Sequence, residues 1–383
     1  MSSKGFFLPA ESLFGAGCLN TMGEEIRRKG LNKALLVTGP HIAASDVLKK
    51  VAGVLEENGI EYAVFSGVES NPTVKNTLAG VKAYRDNGCN FLLALGGGSP
   101  NDCAKAIGIL LSNGGDIHDY QGADKSRLPS PPIVAVNTTA GTASEISRAY
   151  LITDENTQVK MIMKDRNCMA EIAVNDPELM RDLPASLTAA TGMDALTHAV
   201  ECYVSTKGFP LTRRLAREAA DCIFTYLPIV VEQPGNMDAR EQMTYGQYMA
   251  GMAFGNGGLG LVHSMAHPLG AVFRLGHGIC NAVLLPYVCR YNMRTAAAQY
   301  AELSRFLFTE GRGLSDEAAC DLFIDRLNAL SERIGTRVPL SQLGVSASDI
   351  PVLAEKAIAD ANWGSNPVKP TVQDIERIYA QAL

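Results

Sequence analysis

Two segments of the chain combine acidic and imidazole side chains at the spacing of a helical turn. Asp194 and His198 are four residues apart, as are His263 and His267, and His277 follows ten residues later. Residues four apart lie on one face of an α-helix, so each pair can direct both side chains at one point. A carboxylate with two or three imidazoles suits a borderline divalent transition metal, whereas calcium and magnesium prefer oxygen ligands. The spacing therefore predicts a transition-metal site.

The surroundings of these histidines strengthen that prediction. Four of the six histidines in the chain fall in segments rich in leucine, methionine and glycine, where an unpaired polar group is costly. Gly276 and Gly278 flank His277 and would let its backbone approach a crowded site. Against this, Asp194 alone can be a buried carboxylate satisfied by backbone groups. With four protein ligands the site can be closed and structural, or open and catalytic.

A glycine-rich turn in the first half of the chain has the geometry for holding a phosphate. The apolar strand Phe91–Leu95 runs into Gly96–Ser99, and a helix is predicted from about Asn101 to Ser112. Glycines let the backbone approach a ligand, and the helix N-terminus offers free N–H groups. The turn lacks the G-x-G-x-x-G fingerprint, and a plain tight turn is the alternative interpretation. A second loop, Thr138–Thr142, follows another strand, and two such loops at one sheet edge favour a nucleotide.

The elements that must position these residues change character near Pro184. Before it, short apolar runs alternate with helix-length stretches, which is typical of a parallel α/β sheet. Strands are predicted at residues 34–38, 62–65, 91–95, 133–136 and 172–174, helices at 44–58 and 72–87, and a hairpin at 151–153 and 161–163. After it, helical periodicity covers residues 187–204, 211–226, 239–254, 296–307 and 317–334. We predict an α/β dinucleotide-binding domain over residues 1–182 and an all-helical metal-binding domain over 183–383.

Composition and charge exclude several classes of partner. The net charge of −6 and the pI near 5.6 leave no basic footprint, which argues against nucleic acid and anionic membranes as partners. The sequence contains no apolar run of the roughly 18 residues that a membrane span requires. Its N-terminus lacks the apolar region and cleavage site of a signal peptide, so a cytoplasmic protein is expected.

Together the metal ligands and the nucleotide loops predict hydride transfer. A hydride donor beside a Lewis acid can interconvert alcohols and carbonyl compounds. Three other interpretations stay open at this point: a lyase that uses NAD and zinc, as dehydroquinate synthase does, a metallohydrolase, and a non-enzymatic metal-binding protein. The two strand-end loops argue against a hydrolase, because it needs no dinucleotide cleft.

Sequence blocks along the whole chain resemble one family, the iron-containing (group III) alcohol dehydrogenases. The blocks are 71–73, 95–100, 137–143, 174–177, 187–198, 258–263, 265–271, 277–278 and 281–286. The resemblance implies a dehydroquinate synthase-like fold, with an N-terminal α/β nucleotide domain and a C-terminal helical domain. It also implies an enzyme that uses Fe²⁺, or zinc, nickel or another divalent metal. The expected substrates are lactaldehyde, propanediol, short-chain alcohols or a small anionic aldehyde, and the expected assembly is a homodimer or larger.

The same resemblance assigns individual residues. The metal ligands would be Asp194, His198, His263 and His277, while His267 would lie beside the metal as a catalytic proton relay. The cofactor-binding residues would be Gly39, Asn71, Gly97, Gly98, Ser99, Thr138, Thr139, Thr142, Ser147 and Lys160. Arg148, Tyr150 and Phe254 would lie near the substrate pocket, and Arg148 could hold an anionic group or form an ordinary salt bridge. Lys160 and Asp102 also have ordinary alternatives, as a solvated strand lysine and as a first-turn acid that favours the helix dipole.

One departure from the family pattern concerns cofactor choice. Relatives usually carry an aspartate after the first strand, where it holds the ribose 2′-hydroxyl and repels a 2′-phosphate. Here Gly39 stands at that position, in the run Val37-Thr38-Gly39-Pro40. Without the carboxylate, discrimination against NADP should weaken. We therefore expect NAD as the cofactor, with NADP also possible.

Overall fold

The computed structural model describes residues 4–383 and divides into two compact units, Met1–Asp182 and Leu183–Leu383. The first unit contains the strands and the second contains helices and short 3₁₀ turns. The predicted fold class, a parallel α/β region followed by an all-helical region, is confirmed.

A six-stranded parallel sheet forms the centre of the first unit. Its strands are β1 (Glu11–Phe14), β2 (Lys33–Val37), β3 (Glu61–Phe65), β4 (Phe91–Gly96), β6 (Ile133–Asn137) and β9 (Ile172–Asn175), in the order β1-β9-β6-β4-β2-β3. Every residue of β4, β6 and β9 is buried, which explains their continuous apolar runs. Two hydrophobic clusters contain residues from alternate positions of these strands, as expected for a sheet covered on both faces.

Helices and a second, smaller sheet complete this unit. The helices are α1 (Leu19–Arg28), α2 (Pro40–Ala43), α3 (Asp46–Glu57), α4 (Val74–Asp86) and α5 (Gly98–Asn113). The smaller sheet contains β5 (Gly122–Ala123), β7 (Ala149–Asp154) and β8 (Val159–Lys164), and β7 and β8 form the predicted antiparallel hairpin. Strand β1 was not predicted, because its four residues are all only partly buried and show no alternation.

Eight helices form the second unit. They are α6 (Ala185–Val204), α7 (Pro210–Glu232), α8 (Met237–Gly257), α9 (Leu261–Phe273), α10 (His277–Leu307), α11 (Asp316–Arg333), α12 (Ile350–Ala359) and α13 (Val372–Ala382). The helical stretch predicted at residues 296–307 is confirmed as the second part of α10, which follows a kink at Ala296 with φ −116°. The first part of α10, from His277, was not predicted. Helices α12 and α13 were not predicted. Across residues 4–383, we find no helix long and apolar enough to cross a membrane.

Candidate functional site

Three helices of the second unit bring four of the predicted residues around one carboxylate oxygen. Helix α6 carries Asp194 and His198, α9 carries His263, and α10 begins with His277. Oδ1 of Asp194 lies 3.5 Å from Nε2 of His277 and 3.7 Å from Nε2 of both His198 and His263. Residues distant in sequence thus present one oxygen and three nitrogens to a common region.

Burial and stacking define the orientation of these rings. The ligand atoms of Asp194, His263 and His277 all lie within 4.8 Å of one another, a spacing that fits a metal ion. Asp194 and His263 are buried, whereas the side chain of His277 is 26% exposed, so the cluster has one accessible side. The His198 ring stacks on Phe254 at 4.1 Å and on His263 at 4.8 Å between centroids. These contacts hold the rings without using their Nε2 atoms.

Close backbone packing allows α10 to bring His277 to the cluster. A Cβ atom added to Gly278 would lie 2.2 Å from the carbonyl oxygen of Ala190 in α6, so only glycine fits there. The expectation that Gly278 permits a close approach is confirmed. The same expectation for Gly276 was wrong, because an added Cβ would meet Ile279 at an ordinary 3.8 Å.

The Asn281 amide lies at the centre of the cluster. Its Nδ2 donates to Oδ1 of Asp194 at 2.6 Å and lies 3.1 Å from Nε2 of His277 and 3.3 Å from Nε2 of His263. Its own Oδ1 is buried and has no hydrogen-bond partner among the described residues. Asp194 Oδ1 and the Nε2 atoms of His263 and His277 therefore surround the Asn281 NH₂ group, which carries a partial positive charge. A divalent cation is attracted by the same set of one oxygen and two nitrogens. The residues present fit a transition-metal ion.

Glu201 holds His263 from the side opposite the cluster. Its Oε2 lies 2.6 Å from Nδ1 of His263, and its Oε1 accepts the backbone N–H of Val262 at 2.6 Å. Burial disfavours the charged form of His263, but the carboxylates of Glu201 and Asp194 outweigh it and raise the pKa of the ring. A metal that binds Nε2 must therefore displace a proton from this ring over an extended pH range.

A second histidine–carboxylate pair lies one turn further along α9. Nδ1 of His267 lies 2.6 Å from Oδ2 of Asp360, whose Oδ1 accepts from Ser264 Oγ at 3.0 Å and from the Asn362 N–H at 2.8 Å. Burial alone would raise the pKa of Asp360, but His267 and these hydrogen bonds lower it. The His267 ring stacks on His277 at 5.3 Å between centroids. His267 thus adjoins the cluster with one nitrogen engaged by a carboxylate.

Sequence reasoning missed three residues of this site. Glu201 lies three residues after His198, and Asn281 lies four residues after His277, so helical spacing alone could have placed each on the face of its neighbour. Asp360 lies at the end of a helix that was not predicted, and no local motif marks it.

In the first unit, the two predicted nucleotide loops lie against each other. They follow β4 and β6, which pair in parallel with Gly96 opposite Asn137. A Cβ added to Gly97 would lie 2.9 Å from Thr139 Oγ1, and one added to Gly98 would lie 3.2 Å from Thr142 Cγ2. The glycines therefore let the threonine loop close over the start of α5. That helix begins at Gly98, earlier than predicted, so its first N–H groups belong to the glycine turn itself.

Three further predicted cofactor residues form one network beside this turn. The Asn71 N–H donates to Ser99 Oγ at 3.3 Å, and Lys160 Nζ donates to Asn71 Oδ1 at 3.0 Å. Asn71 adopts a left-handed backbone conformation at φ +59°, which asparagine tolerates better than most residues. Lys160 is partly buried and hydrogen-bonded, so the interpretation of a solvated strand lysine was wrong.

Asp102 and Lys105 brace the segment that follows the threonine loop. Asp102 accepts from Ser144 Oγ at 2.7 Å and from the Leu151 N–H at 3.1 Å. Lys105 is 1% exposed and donates to the carbonyls of Ser144 and Ala149. Burial raises the pKa of Asp102 and lowers that of Lys105, and each charge opposes the shift of the other. Asp102 is thus more than a first-turn acid.

Ser147 lies within the braced segment, and its Oγ accepts the Ala149 N–H at 3.2 Å. Gly39 follows β2, and an added Cβ there would lie 3.0 Å from the Val68 carbonyl oxygen. Tyr150 is completely buried in a hydrophobic cluster, and its place near the substrate pocket stays a prediction. The Arg148 guanidinium lies 4.4 Å from the Phe7 ring centroid and 3.6 Å from Asp124, which favours the salt-bridge interpretation.

Comparisons with known proteins agree with these features. Residues 9–177 match the iron-containing alcohol dehydrogenase family, and residues 188–383 match the C-terminal part of the Fe-containing alcohol dehydrogenase family. The chain is 42% identical to 1,3-propanediol dehydrogenase of Citrobacter freundii, covering 99% of this chain and 98% of that protein. It is 39% identical to lactaldehyde reductase of Escherichia coli K12, covering 96% and 97%.

A solved structure of a 1,3-propanediol oxidoreductase superposes with a TM-score of 0.97 at 42% identity, and each chain is covered completely. Both halves of the sequence and the complete fold therefore match the same family. The chain belongs to the iron-containing alcohol dehydrogenase family of oxidoreductases.

Proposed function

We propose that this protein is a metal-dependent, nicotinamide-linked dehydrogenase that interconverts small primary alcohols and aldehydes. The observation that carries the proposal is the convergence of one carboxylate and three imidazoles on a region with an accessible side, at His277. The phosphate-type loops of the first unit add a reason to expect a dinucleotide. Family membership favours this function over a lyase or a metallohydrolase.

In the proposed metal site, Asp194, His198, His263 and His277 would hold a divalent ion, which we infer to be Fe²⁺. The chemistry it supplies when bound is Lewis-acid polarisation of the substrate oxygen. The chain's own residues do the remaining work. Asp194 contributes a negative charge that would offset part of the charge of the cation, and the stacking of His198 on His263 orients both rings.

We propose that His267 carries the proton that alcohol oxidation releases. Its Nδ1 faces Asp360, so Nε2 is the nitrogen that would accept and later release the proton. Asp360 keeps a low pKa and would stabilise the charged imidazolium while the proton is held. Stacking on His277 keeps the ring beside the ligand cluster.

For the cofactor we propose NAD, with its phosphates on the turn formed by Gly97, Gly98 and Ser99. In this arrangement Thr138, Thr139 and Thr142 contribute hydroxyl groups from the second loop, and the Asn71–Lys160 pair flanks the turn. Ser147 lies in the segment that Asp102 and Lys105 brace. Gly39 offers no carboxylate to repel a 2′-phosphate, so NADP would bind more readily than in relatives with aspartate there.

The preferred substrates that we infer are short neutral aldehydes. Relatives include 1,3-propanediol dehydrogenase, lactaldehyde reductase and an NAD-dependent methanol dehydrogenase of Bacillus methanolicus, the last being 41% identical. Arg148 is engaged by Phe7 and Asp124, which argues against its use for an anionic group. A homodimer or larger assembly and a cytoplasmic location remain predictions, and sedimentation of the purified protein tests the first.

The decisive experiment is a substrate screen with protein reconstituted anaerobically with Fe²⁺. Loss of absorbance at 340 nm is followed with NADH and with NADPH across short aldehydes, with and without a chelator. We expect chelator-sensitive oxidation of NADH with short-chain aldehydes. The absence of such activity over the whole panel would contradict the proposed function.

A further inference from the structure

The two carboxylate oxygens of Glu201 contact two different groups at the start of α9. Oε1 accepts the Val262 N–H and Oε2 faces Nδ1 of His263, both at 2.6 Å. The side chain is 3% exposed, so water does not compete for either oxygen. The buried Glu201 carboxylate therefore contacts both a backbone N–H and the ring of a candidate metal ligand.

The start of α9 depends on side chains from elsewhere in the unit. Gly260 precedes the helix and has no side chain to cap it, and the Leu261 N–H instead donates to Asn366 Oδ1 at 3.2 Å. A Cβ added to Gly260 would lie 2.9 Å from both Glu201 Oε1 and Asn366 Oδ1. The glycine thus leaves room for the Glu201 carboxylate and the Asn366 amide at the start of the helix.

We propose that Glu201 is a positioning residue that selects the tautomer of His263 required for metal binding. An ionised carboxylate can only accept hydrogen bonds, so Nδ1 of His263 must carry the proton that faces it. Nε2 then presents its lone pair toward Asp194, 3.7 Å away. Carboxylates that orient a ligand histidine in this way usually alter metal affinity 10- to 100-fold. This inference rests on the proposed metal site and adds the residue that prepares it.

Glutamine separates this role from simple helix capping. In Glu201→Gln the amide oxygen can still accept the Val262 N–H, but the amide nitrogen can only donate toward His263. Nδ1 of His263 must then be the acceptor, and its proton moves to Nε2, where the metal would bind. In the opposite orientation of the introduced amide, its NH₂ group would face the Val262 N–H, and two donors in contact are unfavourable. The substitution preserves shape and cap while reversing the tautomer.

The second pair on the same helix provides a matched control. His267 faces Asp360 at the same 2.6 Å that separates His263 from Glu201, yet it is not one of the four residues proposed as ligands. Asp360→Asn changes the same kind of bond to a histidine that the proposed site does not use as a ligand. Its effect on metal affinity should be small.

The test titrates the metal-free full chain with Co²⁺, followed by visible absorption in competition with a chelator of known affinity. Glu201→Gln should weaken Co²⁺ binding about 10- to 100-fold, with the melting temperature of the metal-free protein close to that of the wild type. Asp360→Asn should bind Co²⁺ as the wild type does. Glu201→Ala, which loses the cap as well, should lower both the Co²⁺ affinity and the melting temperature.

Three results would overturn the inference alone. The first is wild-type Co²⁺ affinity in Glu201→Gln. The second is an equal loss of Co²⁺ affinity in Glu201→Gln and Asp360→Asn. The third is a loss of Co²⁺ affinity in Glu201→Gln together with the same loss of thermal stability as in Glu201→Ala. Wild-type protein that binds neither Co²⁺ nor Fe²⁺ would instead contradict the proposed metal site, and this inference with it.

Discussion

The ligand cluster of the helical unit depends on side chains, whereas the paired loops of the α/β unit depend on the backbone. Around Asp194 the chemistry resides in side chains, each held by stacking or by a carboxylate behind it. At Gly97 and Gly98 it resides in the backbone, which two threonines approach closely because no Cβ is present. The first site should fail when a side chain is shortened or neutralised, and the second when one is added.

The comparison teaches that the two sites should be separable by experiment. Changes in the cluster should remove metal and turnover while the loops keep their contacts. Changes in the loops should weaken cofactor binding and leave metal content intact. The predictions below test this separation, starting with the largest expected effect.

Replacing Asp194 by asparagine should abolish the metal site. The substitution removes the one negative charge around which the three imidazoles converge. Lewis-acid stabilisation is worth several kcal/mol, so kcat/KM should fall at least about 10³-fold. Metal content by elemental analysis and NADH oxidation measure the two effects. Unchanged metal content in a folded variant would contradict the assignment of Asp194.

Replacing His267 by alanine should lower turnover much more than metal content. A proton carrier contributes about 10²- to 10⁴-fold, and its nitrogen that faces Asp360 is not directed at the cluster. Steady-state kcat and bound Fe²⁺ are measured on the same preparation. Loss of the metal would show instead that His267 is a ligand.

Replacing Gly97 by alanine should impair the cofactor site alone. The added Cβ would lie 2.9 Å from Thr139 Oγ1, so the Thr139 side chain must shift away from the turn. We expect KM for NADH to rise about tenfold or more, because small displacements of positioning groups are costly. Gly53→Ala is the matched control, since an added Cβ there meets no atom within 4 Å. Parallel loss of metal in Gly97→Ala would argue against separable sites.

Replacing Gly39 by aspartate should increase the preference for NADH over NADPH. The new carboxylate would repel a 2′-phosphate by on the order of 1 kcal/mol, which corresponds to roughly a fivefold to tenfold change. The nearby Val68 carbonyl, 3.0 Å from the new Cβ, must shift slightly. The ratio of kcat/KM for the two cofactors is the measurement. An identical ratio before and after the change would sink the proposed role of this position.

Asp374 offers a carboxylate whose expected effect is on stability alone. Burial would raise its pKa, but hydrogen bonds from Thr371, Arg377 and Tyr291 hold it at about 2, below the ordinary 3.8. Its stabilisation is therefore present above about pH 4 and lost as the pH falls toward 2, by on the order of 1 kcal/mol. Unfolding of wild type and Asp374→Asn from pH 6 to pH 2 measures this. The difference between them should shrink toward low pH, with metal content equal at neutral pH.

Prediction from sequence worked where a pattern is local. The strands β4 and β6 and the hairpin of β7 and β8 could be placed within a few residues. Burial of a strand requires apolar residues at neighbouring or alternate positions, and this pattern is visible in a short stretch of sequence. Prediction failed at β1, whose partly buried residues show no such pattern, and at the first half of α10, where glycine and proline obscured the helix. Boundaries there depend on packing against other elements.

By itself the sequence determined which side chains could act together within one helix. The pairs Asp194–His198 and His263–His267 share a face because of the helical repeat, and this needs no knowledge of the rest of the fold. It also determined that a glycine-rich turn and a threonine-containing turn each follow an apolar strand.

Only the tertiary structure decided what lies behind those residues. It brought Glu201 to His263, Asp360 to His267 and Asn281 to the centre of the cluster. It also turned Arg148 toward Asp124. Contacts between residues far apart in sequence follow from the packing of whole helices and strands, and no local repeat in the chain records that packing.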